Sequence, residues 1–156
     1  MSDDQNPARS SSFITAQKKV MDLVARRDHS EAELRAKLRE RFSEMEDATS
    51  IIDEVIELAK TKNWITEPET LAQRWAETLH GRNKGIYFIN NYLSEKGLPP
   101  VATDRELELE KALGIVKNRY DENHELDEKE KAKMARLLSS RGFDSETVRK
   151  VLYEKF

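Results

Sequence analysis

Cysteine is absent from the 156 residues. Disulfides, thiolate metal sites and cysteine nucleophiles are therefore excluded. Glycine (5) and proline (4) are scarce, too few for the many tight turns of an all-β fold. Histidine occurs only as His29, His80 and His124, with no spacing among them that suits a metal ion. No apolar run approaches the roughly 20 residues of a membrane span. The opening Met1-Ser-Asp-Asp-Gln-Asn is acidic and polar, the reverse of a secretory leader. These absences lead us to expect a cytoplasmic monomer with no cofactor and no membrane attachment.

Charge is abundant instead. Charged residues make up 37% of the chain, equal to the hydrophobic share, and the net charge is -3. The signs come in blocks. Residues 14–42 carry eight Lys or Arg against five Asp or Glu, net +3. Residues 43–70 carry two against eight, net -6, and residues 133–156 six against three, net +3. Blocks of this kind predict separate basic and acidic faces on the folded surface.

One stretch says the same thing twice. Leu93-Ser-Glu-Lys-Gly97-Leu98 is echoed by Leu138-Ser-Ser-Arg-Gly142-Phe143. Leu34-Arg-Ala-Lys-Leu38-Arg-Glu-Arg-Phe42 is a looser first copy without the glycine. Each follows or lies in a helical pattern, at spacings of about 45 to 55 residues, so an internal helical repeat is predicted.

Read in order, residues 1–12 are polar and predict a disordered tail. A helix begins at Phe13, with Val20, Leu23 and Val24 among its apolar positions. Ser30-Glu-Ala-Glu33 is a capping box, which starts a second helix with core positions Leu34, Leu38 and Phe42. A third runs from about Ala48 to Lys62 through Ile51, Ile52, Val55 and Ile56. A capping pattern at Thr66-Glu-Pro-Glu69 opens a fourth, with Leu71, Ala72, Trp75 and Leu79 on one stripe. The fifth spans 86–96, and Gly97 ends it. Leu98-Pro-Pro-Val forces an extended turn. The pattern from Ala102 to Tyr120 reads either as one long helix or as a short one joined to a second at about Glu106. Asp127 and Asp144 then cap two final helices. No segment alternates as a strand does. The expected fold is all-α: about nine helices in three tandem three-helix units, elongated and curved. The units are expected at 13–65, 66–105 and 106–156, the second with a shortened last helix.

No constellation supports catalysis. His29 lies beside Ser30, but no carboxylate is placed to orient it, and Ser30 is already a cap. Gly81-Arg-Asn-Lys-Gly85 lacks the Gly-Lys-Ser/Thr of a nucleotide loop and reads as a solvated turn. Partner contact falls instead to cations: Arg26 and Arg27, then Arg35, Lys37, Arg39 and Arg41, then Arg82, Lys84, Lys96 and Arg141. Such groups suit phosphates or an acidic groove on a protein.

The motifs also carry a resemblance. Arg27-Asp28-His29-Ser30-Glu31-x-Glu33-Leu34-x-x-Lys37-Leu38 resembles the first-repeat signature of the RecX regulators of the RecA recombinase. Gly85-x-x-x-Ile89-x-x-x-Leu93-x-x-Lys96-Gly97-Leu98 is similar to the second. Lys133-x-x-Arg136-Leu137-Leu138-x-x-Arg141-Gly142-Phe143-x-x-Glu146-x-Val148 resembles the third. The resemblance implies tandem three-helix units and a non-enzymatic protein. Such a protein lies in the groove of RecA filaments on DNA and restrains ATP hydrolysis and strand exchange, so modulating homologous recombination and DNA repair. Two departures stand out: Trp64-Ile-Thr-Glu-Pro replaces the family's aromatic-x-Asp-Asp turn, and the sixth helix is short. The alternative reading is a helical module that binds single- or double-stranded DNA without RecA.

Overall fold

Local capping chemistry accounts for most helix boundaries. In the computed structural model, which describes residues 10–154, the regular structure is entirely helical. The helices are α1 (Ser11–Arg26), α2 (Glu31–Phe42), α3 (Ala48–Thr61), α4 (Pro68–Gly81), α5 (Ile86–Glu95), α6 (Arg105–Arg119), α7 (Glu128–Ser140) and α8 (Ser145–Arg149). A π-helical turn over Lys150–Glu154 extends α8. Of the tail expected over residues 1–12, residues 1–9 lie outside the described residues. Ser10 caps α1, its hydroxyl accepting from the Phe13 N–H at 3.2 Å, and Ser11 and Ser12 are helical.

Capping boxes form at α2 and α7. The Ser30 hydroxyl accepts from the Glu33 N–H (3.0 Å) while Glu33 Oε1 accepts from the Ser30 N–H (3.2 Å). Asp127 and Glu130 reciprocate in the same way at α7. Each exchange satisfies two amide donors that a helix start otherwise leaves open. Asp104 and Asp144 cap α6 and α8 through the Leu107 and Thr147 amides.

The repeated Leu-Ser-x-basic-Gly-apolar motif is a repeated helix ending. At α5, Gly97 sits at φ 71°, the Leu98 N–H donates to Leu93 O (2.8 Å) and the Gly97 N–H to Ser94 O (3.0 Å). At α7, Gly142 sits at φ 94°, with Phe143 N–H to Leu138 O and Gly142 N–H to Ser139 O, both 3.1 Å. This double return satisfies terminal carbonyls and needs a left-handed residue. Asparagine fills that role twice more, with Asn63 after α3 and Asn83 after α4 both at φ 57°.

The chain forms two compact units, with the division after Leu71 in the first turn of α4. In the first, α1, α2 and α3 close around Phe13, Ala16, Val20, Leu34, Leu38, Val55 and Ile56. In the second, Ala112, Ile115, Val116, Met134, Leu138, Phe143, Val148 and Leu152 join α6, α7 and α8 in one cluster. Phe143 and Val148 flank the Asp144 cap within it, a hydrophobic staple. On α4 and α5, Ala72, Ala76, Leu79, Ile86, Ile89 and Leu93 are also buried.

The short helix expected to close the second unit, between Gly97 and Glu106, is not formed. Residues 98–104 contain no helical turn, and α6 starts at Arg105. Pro99 and Pro100 supply no amide donors and push their predecessors out of the helical region. Asn90 of α5 holds the extended segment instead. Its side chain donates to Val101 O (3.2 Å) and accepts from the Val101 N–H (2.9 Å).

Gly85 and Gly142 meet backbone to backbone. A Cβ on Gly85 would overlap the Gly142 carbonyl and the Phe143 nitrogen, and one on Gly142 would come within 2.5 Å of Phe88. Neither overlap can be relieved by rotating a side chain. Gly114, inside α6, has nothing within 4 Å of an added Cβ. Accordingly, Gly85→Ala and Gly142→Ala should each cost about 2 kcal/mol or more. Gly114→Ala should stabilise by up to about 1 kcal/mol. Urea unfolding followed at Trp75 checks this ordering, and three equal effects would refute the close approach.

Candidate partner-binding surfaces

On a helix, charged side chains at different spacings face different neighbours, so the ten candidate cations separate once the packing is seen. Arg35 points to α3. Its Nε lies 3.1 Å from Glu31 Oε1 and a terminal nitrogen 2.6 Å from Asp53 Oδ1. Lys60 closes the same network on Glu31 at 3.0 Å. The hydrogen bond to Asp53 raises the Arg35 pKa. Desolvation alone would raise the Glu31 carboxyl, but Lys60 and Arg35 outweigh it and hold it low. Arg35 is thus a clip between α2 and α3. Arg27 is a second clip, with its guanidinium 2.9 Å from Glu33 Oε2 and donating to Asp28 O at 2.8 Å.

The other first-unit cations face outward. Arg26, Arg39 and Arg41 are exposed and Lys37 is half-buried. Among the described residues none of these four forms an ion pair. Lys37 and Arg41 are four residues apart and share a line along α2, whereas Arg39 lies roughly 200° around the helix from either. The outward cations are therefore a Lys37–Arg41 ridge with Arg39 apart from it.

In the second unit the cations meet aromatic rings. Lys84 Nζ stands 4.6 Å from the Phe88 ring centre, and Lys96 Nζ 4.8 Å from Trp75 and 5.0 Å from Tyr92. Arg82 is exposed beside this row. Arg141 closes α7, and its carbonyl accepts from the Gly85 N–H at 2.8 Å. Sequence reading named the lysines and left out the rings between them. The signal was present, because Lys84, Phe88, Tyr92 and Lys96 recur every four residues.

A buried charged cluster also went unread. Glu108 and Lys111, with side chains only 1% and 4% exposed, are paired 2.5 Å apart on α6. Glu108 Oε2 accepts from the Ile86 N–H (3.0 Å), capping α5 from another helix. Lys111 Nζ donates to Lys84 O (2.6 Å) and meets His80 Nδ1 at 2.7 Å. Glu108 belongs to the acidic first turn of α6. It runs inward because Gly85, the residue capping α5, has no side chain to satisfy the amides behind it.

His29 is buried, its Nδ1 3.0 Å from Arg27 O. Ser30 is committed to its capping box. His124 pairs with Glu130 at 2.9 Å. Among the described residues no three His, Asp or Glu gather to hold a metal ion, and no helix is long and apolar enough to cross a membrane.

Burial lowers the His80 pKa, and the Lys111 charge lowers it further. His29 is lowered by burial too. Both histidines are therefore neutral in the fold at pH values where an unfolded imidazole, near 6.5, already takes up a proton. Their stabilisation is complete above about pH 6.5 and declines as the pH falls through that value towards their lower folded pKa. We expect urea midpoints to drop below pH 6.5. His80→Asn, which keeps an acceptor for Lys111, should flatten the part of that drop seen at Trp75 and leave the part seen at Trp64. Removing either buried partner, by Glu108→Ala or Lys111→Ala, should cost about 3–5 kcal/mol.

Residues 106–152 match the family model described as RecX, third three-helix domain. A regulatory protein RecX from Clostridioides difficile is 30% identical over 149 residues, which span 90% of this chain and 68% of that protein. One from Serratia proteamaculans is 28% identical, covering 85% of this chain and 93% of its own. The crystal structure of RecX from Lactobacillus salivarius superposes with a TM-score of 0.74 at 19% identity, over 92% of this chain and 96% of that one. The all-α tandem-repeat architecture is thus shared with a solved protein.

Proposed function

Because the chain belongs to the RecX family of regulatory proteins, we propose that it binds RecA filaments on DNA and inhibits their ATP hydrolysis and strand exchange. Its role is then to modulate homologous recombination and repair without chemistry of its own. The observation that carries the reading is likeness along nearly the whole chain to regulatory proteins of this one family. The distribution of charge supports it. Arg27 and Arg35 are spent inside the first unit, whereas Lys37 and Arg41 form an outward ridge.

A ridge of two cations contributes modestly by itself, since exposed charge pairs are worth about 0.2–1 kcal/mol each. Two compact units on one chain raise the local concentration of the second contact once the first is made. A protein touching successive filament subunits in this way resists the relative motion that ATP turnover requires. Inhibition by that route is expected to weaken as salt rises.

The test is the single-stranded-DNA-dependent ATPase of RecA from the same organism, titrated with this protein. Substoichiometric inhibition is expected. Lys37→Glu with Arg41→Glu should raise the concentration for half-inhibition about tenfold while the helical signal is unchanged. Arg35→Glu should act differently, lowering stability because it strands Asp53 and sets a third carboxylate beside it and Glu31. No inhibition by the folded protein at several-fold excess over RecA would overturn the reading.

A further inference from the structure

The ammonium of Lys111 has three donors to place and meets three acceptors. They are Glu108 Oε1 at 2.5 Å, Lys84 O at 2.6 Å and His80 Nδ1 at 2.7 Å. A carboxylate and a carbonyl go on accepting across the range in which imidazole titrates. An imidazole nitrogen accepts only while it carries no proton. The buried Glu108 carboxylate keeps the lysine charged, and an ammonium has nothing with which to accept. The contact therefore fixes His80 as the neutral tautomer with its proton on Nε2.

Several elements face this ring. His80 belongs to the last turn of α4. Asp104, Glu108 and Lys111 come from the start of α6, and Lys84 from the turn between α4 and α5. Phe143, beyond the end of α7, lies 5.5 Å from the Lys111 ammonium, and the ammonium of Lys84 itself rests over Phe88. Burial opposes a charge on the ring most, the Lys111 charge opposes it next, and Glu108 and Asp104 favour it less strongly. The ring is only half-buried, whereas the Glu108 and Lys111 side chains behind it are 1% and 4% exposed. A proton on His80 sets two cations against each other, and only one can leave. Lys111 is bound to neutralise Glu108. His80 can rotate outward, where water and the carbonyl end of α4 both favour an imidazolium. An asparagine at this place would accept from the lysine at any pH, whereas a histidine makes the contact depend on protons.

We propose that His80 is an acid-released plug: neutral, it seals the Glu108–Lys111 pair from water, and protonated, it turns outward and loosens the α4–α5 turn while the helices stay folded. Water then takes its place on Lys111. The turn is the part released because its backbone hangs on this cluster. Lys111 holds Lys84 O and Glu108 holds the Ile86 N–H. Arg82 and Lys84 stand on that turn, so acid alters how these two cations are presented. The device does not involve RecA and stands or falls apart from the regulatory reading.

The experiment follows the full chain, labelled with nitrogen-15 and free of any partner, by NMR as the pH is lowered from about 8 to about 5. The ring nitrogens of His80 should show the Nε2–H tautomer at the start and a charged ring at the end. Amide exchange, corrected for its intrinsic pH dependence, should quicken about tenfold or more at Lys84, Gly85, Ile86 and Tyr87. The midpoint of that change should coincide with the titration of the His80 ring. Amides of α7 and of the first unit should keep their protection. His80→Asn should hold exchange at residues 84–87 constant over the same range. Should that variant fail to fold, the coincidence of the two midpoints in the unaltered chain decides alone. A neutral ring protonated on Nδ1 would overturn the plug. So would charging of His80 without faster exchange, a midpoint that follows His29 instead, or loss of protection across the whole second unit at once.

Discussion

Three backbone amides at the start of α5 need acceptors, and much of the second unit is arranged to supply them. The N–H groups of Gly85 and Tyr87 donate to Arg141 O and Gly142 O, and that of Ile86 to the Glu108 carboxylate. A helix start with a capping serine or aspartate satisfies such donors from its own chain. A glycine there cannot, and its missing side chain is what lets the end of α7 come close enough to replace the cap. The negative end of α7 then faces the positive end of α5, a favourable alignment of helix dipoles.

The substitution has consequences. A carboxylate drawn into the interior must be neutralised, and Lys111 does so one turn along α6. The ammonium in turn has donors to place, and they reach Lys84 O and His80. Replacing such a pair by apolar residues is often neutral or stabilising in other proteins, so the cluster is weak evidence of stability in itself. Its effect is on register. Sliding α5 would take the Ile86 amide from Glu108 and the Lys84 carbonyl from Lys111, leaving both buried charges short of a partner.

The same logic sorts the surface charge. Arg35 and Arg27 resemble their neighbours in sequence, yet each is consumed by a carboxylate brought near by folding. Lys37 and Arg41, at other angles on the same helix, face water. The basic block read at 14–42 is therefore partly internal structure and partly outward-facing charge. In the second unit Lys84 and Lys96 lie over aromatic rings.

The all-α class, the helix order and most helix ends were determined by sequence alone, because capping acts over three or four residues. Ser30 with Glu33, Asp127 with Glu130, Asp144 with Thr147, and the glycines at 97 and 142 are all complete within one short window. The endings at Asn63 and Asn83 use the same geometry with a less distinctive residue and were harder to read. The missing last helix of the second unit was half legible, in Pro99 and Pro100, while the grip of Asn90 on Val101 was not. Tertiary structure alone decided which charges remain available. Asp53 is 18 residues from Arg35, and Glu108 is 22 from Ile86. Whether a charged side chain is buried, paired or free depends on what packing brings within a few ångströms, and no local pattern encodes that distance.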